Sequence, residues 1–199
     1  MKSSRLSGKR ALVTAGAQGI GAAISRHLLA AGCDVFIHYH SSASTARTIE
    51  AEATMMGRRC ASTSADLTKA ADCESFVAEG VNFLGGLDVL VNNAGSIIAR
   101  KTLAEADENF WTDVMALNFD SLRRVTKAAA PHLIASAKTA GGASIVNISS
   151  VAGRKGGHPG SLPYSTSKGA VLTFTRSLAN ELGPHGVRVN AVAPGFVQG

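Results

Sequence analysis

The chain has 199 residues, of which 45% are hydrophobic, 17% are charged and 21 are glycines. This composition is typical of a globular protein and too apolar for an intrinsically disordered chain. No stretch approaches the ~18 apolar residues that a membrane-spanning helix needs, and the first residues lead into no signal-peptide core. We therefore expect one folded domain over residues 1–199, with no membrane partner.

The excess of basic residues raises the question of a nucleic-acid partner. There are 20 Lys and Arg against 14 Asp and Glu, which gives a net charge of +6. The basic residues occur in scattered pairs, such as Lys9-Arg10 and Arg123-Arg124, and they are not interleaved with aromatic residues as in a single-strand binding groove. The pattern favours a solvated surface, part of which serves an anionic cofactor, and we expect no nucleic-acid partner.

The cysteines bear on the compartment and on metal binding. Cys33, Cys60 and Cys73 are odd in number and form no C-x-x-C pair. This usage favours a reducing compartment, which we expect to be the cytoplasm, and it is not typical of a structural zinc site. We expect no metal.

Short apolar runs alternate with helical patterns along the chain. The first half predicts strands at 10–14, 34–39, 59–64 and 87–91, with helices at 20–31, 44–56 and 68–84. The second half predicts one long helix at 107–136, a strand at 143–148, a helix at 164–182 and a sixth strand at 187–192. Apolar strands between helices are typical of a parallel sheet covered on both faces. The expected fold is α/β, a doubly wound three-layer α/β/α sheet with a ligand crevice at the carboxyl ends of its strands.

A glycine-rich turn follows the first predicted strand. Residues 14–21 read TAGAQGIG, which places three glycines between a strand and a helix. Glycines let the backbone approach a pyrophosphate, and the amino end of a helix supplies free N–H groups to it. The spacing is G-x-x-G-x-G, in contrast to the G-x-G-x-x-G of the commonest dinucleotide fingerprint. Its placement favours a dinucleotide site over a plain turn.

The run Tyr164-Ser165-Thr166-Ser167-Lys168 predicts acid–base chemistry. Positions i and i+4 share one face of a helix, so the hydroxyl of Tyr164 and the ammonium of Lys168 can serve one site. An ammonium favours the phenolate, and Tyr164 can then exchange a proton with a carbonyl or alcohol oxygen as hydride moves at the adjacent carbon. The alternative is a surface helix with an incidental Tyr and Lys. Ser150 ends the fifth strand and points to the same crevice.

Five ordered motifs of this chain resemble those of the short-chain dehydrogenases/reductases. The glycine-rich turn resembles the family's Thr-Gly-x-x-x-Gly-x-Gly, with Ala15 where the family has its first glycine. We expect Ala15 to keep a negative φ and the turn to keep its function. The other motifs are Asp66-Leu67, the NNAG of residues 92–95, the Tyr-Lys run and Pro194-Gly195. The resemblance implies cofactor contacts at Thr14, Gly16, Gln18, Gly19, Ile20, Gly21, Tyr39, His40, Ser41, Asp66, Leu67, Asn93, Ala94, Gly95, Tyr164, Lys168, Pro194, Gly195 and Val197.

The resemblance also implies catalytic roles. Tyr164 would be the acid/base, Lys168 would assist it and bind the nicotinamide ribose, and Ser150 would orient the carbonyl. Asn118 would hold a water that links Lys168 to solvent, although a solvated helix residue is the plain alternative. Ser150 and Tyr164 are fourteen residues apart, one more than in many members, and we expect a flexible loop at 153–163 to absorb the difference.

The end of the second strand bears on the cofactor. Members that prefer NAD carry an acidic residue there, whereas this chain has Tyr39, His40, Ser41 and Ser42, which suit a 2′-phosphate. Gln18 stands where some members that prefer NADP have Arg or Lys. We expect NADP(H), with NAD(H) as the alternative.

These inferences together predict an oxidoreductase that transfers hydride between NADP(H) and a carbonyl or secondary alcohol. A β-ketoacyl thioester, a sugar or a simple secondary alcohol would each fit as substrate. The alternative is a non-catalytic cofactor-binding or redox-sensing protein. Against the family the chain is short, so we expect it to lack the final strand and the segment that closes over the substrate. The resemblance also predicts a homodimer or homotetramer.

Overall fold

The computed structural model describes residues 6–139 and 141–197. Its six strands form one sheet in the order β3-β2-β1-β4-β5-β6, and every neighbouring pair is parallel. The strand order reverses direction between β1 and β4, which places a crevice there at the carboxyl ends. The predicted doubly wound α/β fold is confirmed. The strands are β1 (Arg10–Val13), β2 (Asp34–Tyr39), β3 (Cys60–Ser64), β4 (Val89–Asn92), β5 (Ala143–Ile148) and β6 (Val187–Val192).

Helices cover both faces of this sheet. Side chains alternate between the two faces along a strand. Leu12 of β1 therefore joins one apolar layer and its neighbour Val13 joins the other. The first layer packs against α3, α5 and α7, and the second against α1 and α2. The helices are α1 (Gly19–Ala30), α2 (Ala43–Met55), α3 (Ala70–Leu84), α4 (Glu108–Met115), α5 (Ser121–Thr139), α6 (Ala152–Lys155) and α7 (Leu162–Leu182).

Two predicted segments differ from the structure. The single helix predicted over 107–136 is wrong, because a π-helical turn at Ala116–Asp120 separates α4 from α5. The side chain of Asn118 donates to the carbonyl of Val114 at 3.0 Å, and such an intrusion into the helix ladder is a known cause of an interruption. The loop predicted at 153–163 contains part of the short helix α6. Every other predicted element has ends within two residues of the observed ones.

A row of buried amides and hydroxyls crosses the centre of the sheet. Asn92 and Asn147 are paired in register on β4 and β5, and Asn92 Nδ2 donates to Asn147 Oδ1 at 2.9 Å. Asn92 Nδ2 also donates to Thr126 of α5, and Asn147 Nδ2 donates to Thr175 of α7, each at 2.9 Å. The row therefore ties two strands to the helices that cover them.

The amino ends of β1 and β4 are joined by an ion pair. Arg10 Nε donates to Asp88 Oδ2 at 2.8 Å, and the Arg10 backbone N–H donates to the same oxygen at 2.9 Å. Burial raises the pKa of Asp88, but the hydrogen bonds and charge of Arg10 outweigh it and hold that pKa below its usual value. This pair lies at the end of the sheet opposite the crevice.

The cysteines are free thiols in the structure. Burial raises the pKa of Cys33 to about 11, of Cys60 to about 12 and of Cys73 to about 11. They are thus poor nucleophiles at neutral pH, since the thiolate is the reactive form.

Residues 6–139 and 141–197 contain no group of three or more His, Cys, Asp or Glu placed to hold a metal ion. In the same residues, no helix combines the length and apolarity that crossing a membrane requires.

Candidate active site

Three connected cavities form one groove along the carboxyl ends of the strands. Their volumes are 340, 240 and 420 Å³. The first and the middle cavity share Ala15, Gln18 and Gly95. The middle and the third share Ser150, Tyr164 and Gly195. The groove thus runs from the end of β2, past the glycine-rich turn, to the run that contains Tyr164.

The glycine-rich turn presents the amino end of α1 to the middle cavity. The helix starts at Gly19, no side-chain cap comes from Gln18, and its first turn has no acidic residue. Its first N–H groups are thereby available to an anion. A Cβ at Gly21 would collide with the carbonyl oxygen of Ala15, and one at Gly16 would lie 2.8 Å from Ser25 Oγ. These two glycines permit close packing of the turn, whereas Gly19 and Gln18 line the groove.

Ala15 does not keep the negative φ that we expected, since its φ is +48°. Its N–H donates to His38 Nδ1 at 2.9 Å, and its carbonyl accepts a hydrogen bond from Asn93 Nδ2 at 3.1 Å. These contacts hold a backbone conformation that is unfavourable for an L-residue. The turn therefore retains a left-handed residue at this position without the family's glycine.

His38 is a functional residue that the sequence analysis missed. The side chain is 3% exposed, and Nδ1 must be unprotonated to accept from Ala15. Nε2 then carries the hydrogen and donates to the carbonyl of Ala65 at 3.0 Å. Burial lowers the pKa of His38, which favours this neutral form. A polar residue in the middle of the apolar strand DVFIHY was the signal that could have found it.

Thr14 and Asn93 join the ends of β1 and β4 at the switch point. Thr14 Oγ1 accepts the N–H groups of Asn93 at 2.8 Å and Ala94 at 2.9 Å. Asn93 Nδ2 returns a hydrogen bond to the Thr14 carbonyl at 3.1 Å. Thr14 is buried and lies behind the groove, whereas Asn93 lines it. Thr14 therefore holds residues that line the groove, and its own contact with the cofactor stays a prediction.

The first cavity, at the end of β2, combines hydroxyls with one constrained carboxylate. Asp66 accepts hydrogen bonds from the hydroxyl of Thr68 at 2.6 Å and from its N–H at 3.1 Å. These bonds hold the pKa of Asp66 below its usual value, in spite of partial burial. On the opposite side, Ser42 Oγ donates to Gln18 Oε1 at 2.9 Å, just before the amino end of α2. The same end of the groove is lined by four further residues that were predicted to contact the cofactor: Tyr39, His40, Ser41 and Leu67.

Lys168 lies at the base of the middle cavity. It sits one turn after Tyr164 on α7, is 3% exposed, and donates from Nζ to the carbonyl of Ile148 at 2.9 Å. Its Nζ is 5.9 Å from the centroid of the Tyr164 ring. Burial lowers the pKa of Lys168 to about 8. The structure thus brings a buried ammonium next to the phenol on one helix face.

Ser150 lies across the cavity from this helix. Its Oγ accepts the N–H of Ala152 at 3.1 Å, so the hydroxyl hydrogen remains free to donate into the groove. The neighbouring Ser149 donates to the carbonyl of Lys168 at 2.8 Å, which ties the end of β5 to α7. Ser150 and Tyr164 line the same two cavities.

Gly95 separates Asn118 from Lys168. A Cβ on Gly95 would lie 2.7 Å from Asn118 Oδ1 and 2.8 Å from Lys168 Nζ, so only glycine fits. Asn118 is fully buried in the π-helical turn, where Nδ2 donates to the Ser96 carbonyl at 2.8 Å and Oδ1 accepts the Ser96 N–H at 3.1 Å. The plain alternative of a solvated helix residue is therefore wrong. π-Helical turns are frequent at functional sites.

The remaining predicted residues fall in two places. Ile20, Ala94 and Pro194 line the groove. Val197 lines an apolar surface beside α1 that adjoins the middle cavity. Arg100 and His158, which the sequence analysis did not single out, line the third cavity together with Ser150 and Tyr164. Each lies in an irregular segment without hydrophobic periodicity, so the pattern of the sequence carried no signal for them.

Comparison with known proteins decides the family. Residues 9–199 match the family model described as short chain dehydrogenase. The chain belongs to the short-chain dehydrogenase family. The resemblance stated from its motifs is thereby confirmed, and the chain is a dehydrogenase/reductase of that family.

Individual short-chain dehydrogenases are similar over nearly the whole chain. The short-chain reductase protein NovJ of Streptomyces niveus is 40% identical over 187 residues, which are 94% of this chain and 68% of NovJ. The NADH-dependent reductase A1-R′ complexed with NAD has a TM-score of 0.93 at 36% identity, covering 98% of this chain and 81% of that one. A short-chain dehydrogenase from Burkholderia cenocepacia J2315 in complex with NADP has a TM-score of 0.90 at 36% identity, covering 98% and 76%. Relatives of this short-chain dehydrogenase thus bind either nicotinamide cofactor.

Proposed function

We propose that the protein is an NADP(H)-dependent oxidoreductase that interconverts a carbonyl and a secondary alcohol by a Tyr-Lys-Ser mechanism. The observation that carries this proposal is the meeting of Ser150, Tyr164 and Lys168 on one cavity in the middle of the groove. A phenol, a hydroxyl donor and a buried ammonium are the groups that proton transfer to a carbonyl oxygen requires.

The residues of the groove fit a dinucleotide. The amino end of α1 offers free N–H groups to a pyrophosphate, and the close packing at Gly21 and Gly95 leaves no room for a side chain between the turn and the groove. Asp66 and Leu67 would hold the adenine, while Asn93, Ala94 and Gly95 would border the nicotinamide ribose. When bound, the nicotinamide supplies or accepts the hydride.

The chemistry around the end of β2 supports a 2′-phosphate. Ser41, Ser42 and His40 line that end of the groove, and none of them carries a negative charge. Helix α2 starts beside them without an acidic residue in its first turn, so its dipole favours an anion there. Asp66 is the carboxylate of this cavity; Thr68 donates two hydrogen bonds to its Oδ1, and Lys69 Nζ lies 3.5 Å from its Oδ2. NADP(H) is therefore proposed over NAD(H).

In the direction of reduction, Tyr164 donates its phenolic proton to the carbonyl oxygen. Ser150 donates a hydrogen bond to that same oxygen and holds the carbonyl against the phenol. Lys168 keeps positive charge 5.9 Å from the Tyr164 ring and thereby favours the phenolate that forms. Asn118 lies near Lys168 and holds the loop after β4 through its hydrogen bonds to Ser96. In the same proposal, a water at this point exchanges the proton with solvent.

A panel of carbonyls and alcohols, assayed with NADPH and NADH, tests this function. We expect turnover of several small carbonyls, with NADPH bound several-fold more tightly than NADH in a fluorescence titration. Tighter binding of NADH would contradict the cofactor preference. Cofactor binding without turnover of any member of the panel would favour the alternative, a non-catalytic or redox-sensing protein. The presence of Ser150, Tyr164 and Lys168 on one cavity argues against that alternative.

Assembly and location stay predictions. A homodimer or homotetramer is proposed from the family, and light scattering coupled to size-exclusion chromatography measures it directly. The cytoplasmic location is proposed from the cysteine usage alone.

A further inference from the structure

The third cavity of the groove carries an unbalanced positive charge. It has a volume of 420 Å³ and opens beside Ser150 and Tyr164. Arg100 and His158 line it, and none of its described lining residues is an Asp or Glu. The remaining walls are made largely of small or apolar side chains, such as Ile97 and Val151. A substrate that reaches Tyr164 through this cavity therefore passes a guanidinium and an imidazole without a competing carboxylate.

Arg100 is among the arginines that have no acidic partner in the described part of the chain. Arg10, Arg26 and Arg123 each pair with a carboxylate at 3.0 Å or less. Arg100 instead donates from Nη1 to the carbonyl of Pro159 at 3.3 Å, and within the described part of the chain it forms no ion pair. One such bond leaves most of its five N–H donors free.

The two cationic side chains are held on segments that are tied to each other. The N–H of Lys101 donates to the carbonyl of Gly160 at 2.9 Å, which joins the segment of Arg100 to that of His158. The carbonyl of His158 accepts both the hydroxyl of Ser161 at 2.6 Å and its N–H at 3.1 Å. On the other side, the ring of Phe196 lies 5.8 Å from the His158 ring. The backbone segments that carry Arg100 and His158 are thereby joined next to the cavity.

We propose that the substrate of this oxidoreductase is a small keto acid or hydroxy acid, whose carboxylate binds Arg100 and His158 while its carbonyl or hydroxyl carbon lies at Ser150 and Tyr164. A guanidinium binds a carboxylate through two parallel hydrogen bonds, and an imidazole N–H adds a third. The inference rests on the proposed function and narrows its substrate to one chemical class. Arg100 and His158 are then residues that determine specificity, without a part in the proton transfer.

A series of keto acids and their methyl esters tests the proposal. Acetoacetate, levulinate and 5-oxohexanoate place the carboxylate at increasing distances from the ketone, and each methyl ester removes the negative charge and adds one methyl group. Binding to the NADP⁺-saturated protein is measured by ligand-observed NMR, and initial rates are measured with NADPH. For at least one chain length we expect the acid to bind about tenfold more tightly than its ester, as a charge-assisted pair of hydrogen bonds warrants.

Variants separate a specific contact from a general attraction of anions. Arg100→Met should abolish the preference for the acid, and His158→Gln should reduce it. Lys155→Met removes an exposed cation of α6 that does not line the cavity, and it should keep the preference. Equal binding of acid and ester by the wild-type protein, or an unchanged preference in a folded Arg100→Met variant, would overturn the proposal.

The two proposals fail in different ways. Turnover of the esters without a preference for the acids overturns the keto-acid proposal and leaves the oxidoreductase standing. Tight binding of the acids without turnover of any compound supports the site at Arg100 and counts against the Tyr-Lys-Ser mechanism.

Discussion

The N–H of Ala15 donates to Nδ1 of His38 at 2.9 Å, and this hydrogen bond fixes the direction in which the chain leaves β1. The other ring nitrogen of His38 donates to Ala65, which follows β3. One buried imidazole therefore bridges the glycine-rich turn and the segment that leads to Asp66. These are the two sides of the proposed adenosine site.

The His38→Phe variant should lose stability. The substitution leaves the Ala15 N–H and the Ala65 carbonyl without their partner, and each unsatisfied group costs about 1–3 kcal/mol. We expect the free energy of unfolding at pH 8, measured in urea, to fall by about 2–4 kcal/mol. His132→Phe, on the exposed side of α5, is the matched control and should change the free energy of unfolding little. An unchanged unfolding free energy in His38→Phe would show that the bridge contributes nothing.

The difference in unfolding free energy between wild type and His38→Phe should depend on pH. The pKa of His38 is lower in the folded protein than in the unfolded chain, so the unfolded chain binds more protons in the acidic range. The stability that His38 confers is complete above its unfolded pKa of about 6.5 and is lost as the pH falls below that value. We therefore expect the difference between wild type and His38→Phe to shrink from pH 7 to pH 5. A constant difference would mean that His38 does not titrate between the two states.

Ala15→Gly should stabilise the protein. A left-handed conformation costs an L-residue about 1–2 kcal/mol, whereas glycine adopts it without that cost but loses about 0.4–1 kcal/mol through greater freedom of the unfolded chain. The net expectation is a gain of about 0.5–1 kcal/mol in chemical denaturation. Ala17→Gly, at a buried residue outside the positive-φ set, is the control and should destabilise. Destabilisation by both variants would contradict the inference that the backbone of Ala15 is strained.

Tyr164→Phe should keep the cofactor and lose the reaction. The variant removes the proton donor without removing the ring, and general acid catalysis contributes about 10²–10⁴-fold to a rate. We expect NADPH affinity within twofold of wild type in a fluorescence titration, with kcat lowered by about 10²-fold or more. Thr166→Ala changes an exposed residue two positions further along α7 and should retain activity. Substantial turnover by Tyr164→Phe would overturn the mechanism.

Lys168→Met should be inactive yet more stable than wild type at neutral pH. Burial lowers the pKa of Lys168 from 10.5 to about 8, so holding the ammonium in place costs about 3 kcal/mol. Loss of the hydrogen bond to Ile148 offsets part of this, and we expect a net gain of about 1–2 kcal/mol in urea denaturation at pH 7.

This gain should itself depend on pH. Between the folded and unfolded pKa values the unfolded chain binds the extra proton, so wild-type stability rises from pH 8 to pH 10 and the advantage of Lys168→Met declines. Lys138→Met, an exposed lysine of α5, should show neither effect. An inactive variant with no stability gain at pH 7 would mean that the ammonium is well solvated in the folded state.

The elements that the sequence predicted well are those whose pattern is local. Apolar strands such as DVFIHY and the i, i+4 spacing of Tyr164 and Lys168 carry their signal within a few residues. The π-helical turn around Asn118 does not, because it depends on a side chain that bonds to Ser96 from another part of the chain. A periodicity of 3.6 residues cannot reveal such an insertion.

Long-range contacts explain the other differences. The positive φ of Ala15 is held by His38 and Asn93, which lie 23 and 78 residues away along the chain. Conformational preference alone predicted the opposite sign. Arg100 and His158 come together through the bonds from Lys101 to Gly160 and from Arg100 to Pro159, and neither segment shows periodicity that would have marked it. The motifs pointed to Ser150, Tyr164 and Lys168, which the structure brings to one cavity, but the third cavity required the fold.

The amide row through Asn92 and Asn147 has a consequence for catalysis. A strand slipped by one residue would place apolar side chains opposite these amides and leave the amides unpaired, which is costly in a buried environment. The row therefore favours one register of β4 against β5. Gly95 and Ser150 lie three residues beyond Asn92 and Asn147, in the segments that follow β4 and β5. A slip of one residue would displace one against the other by about 3.3 Å, more than the length of a hydrogen bond. Two residues buried away from the groove therefore set the alignment of the groove's two sides.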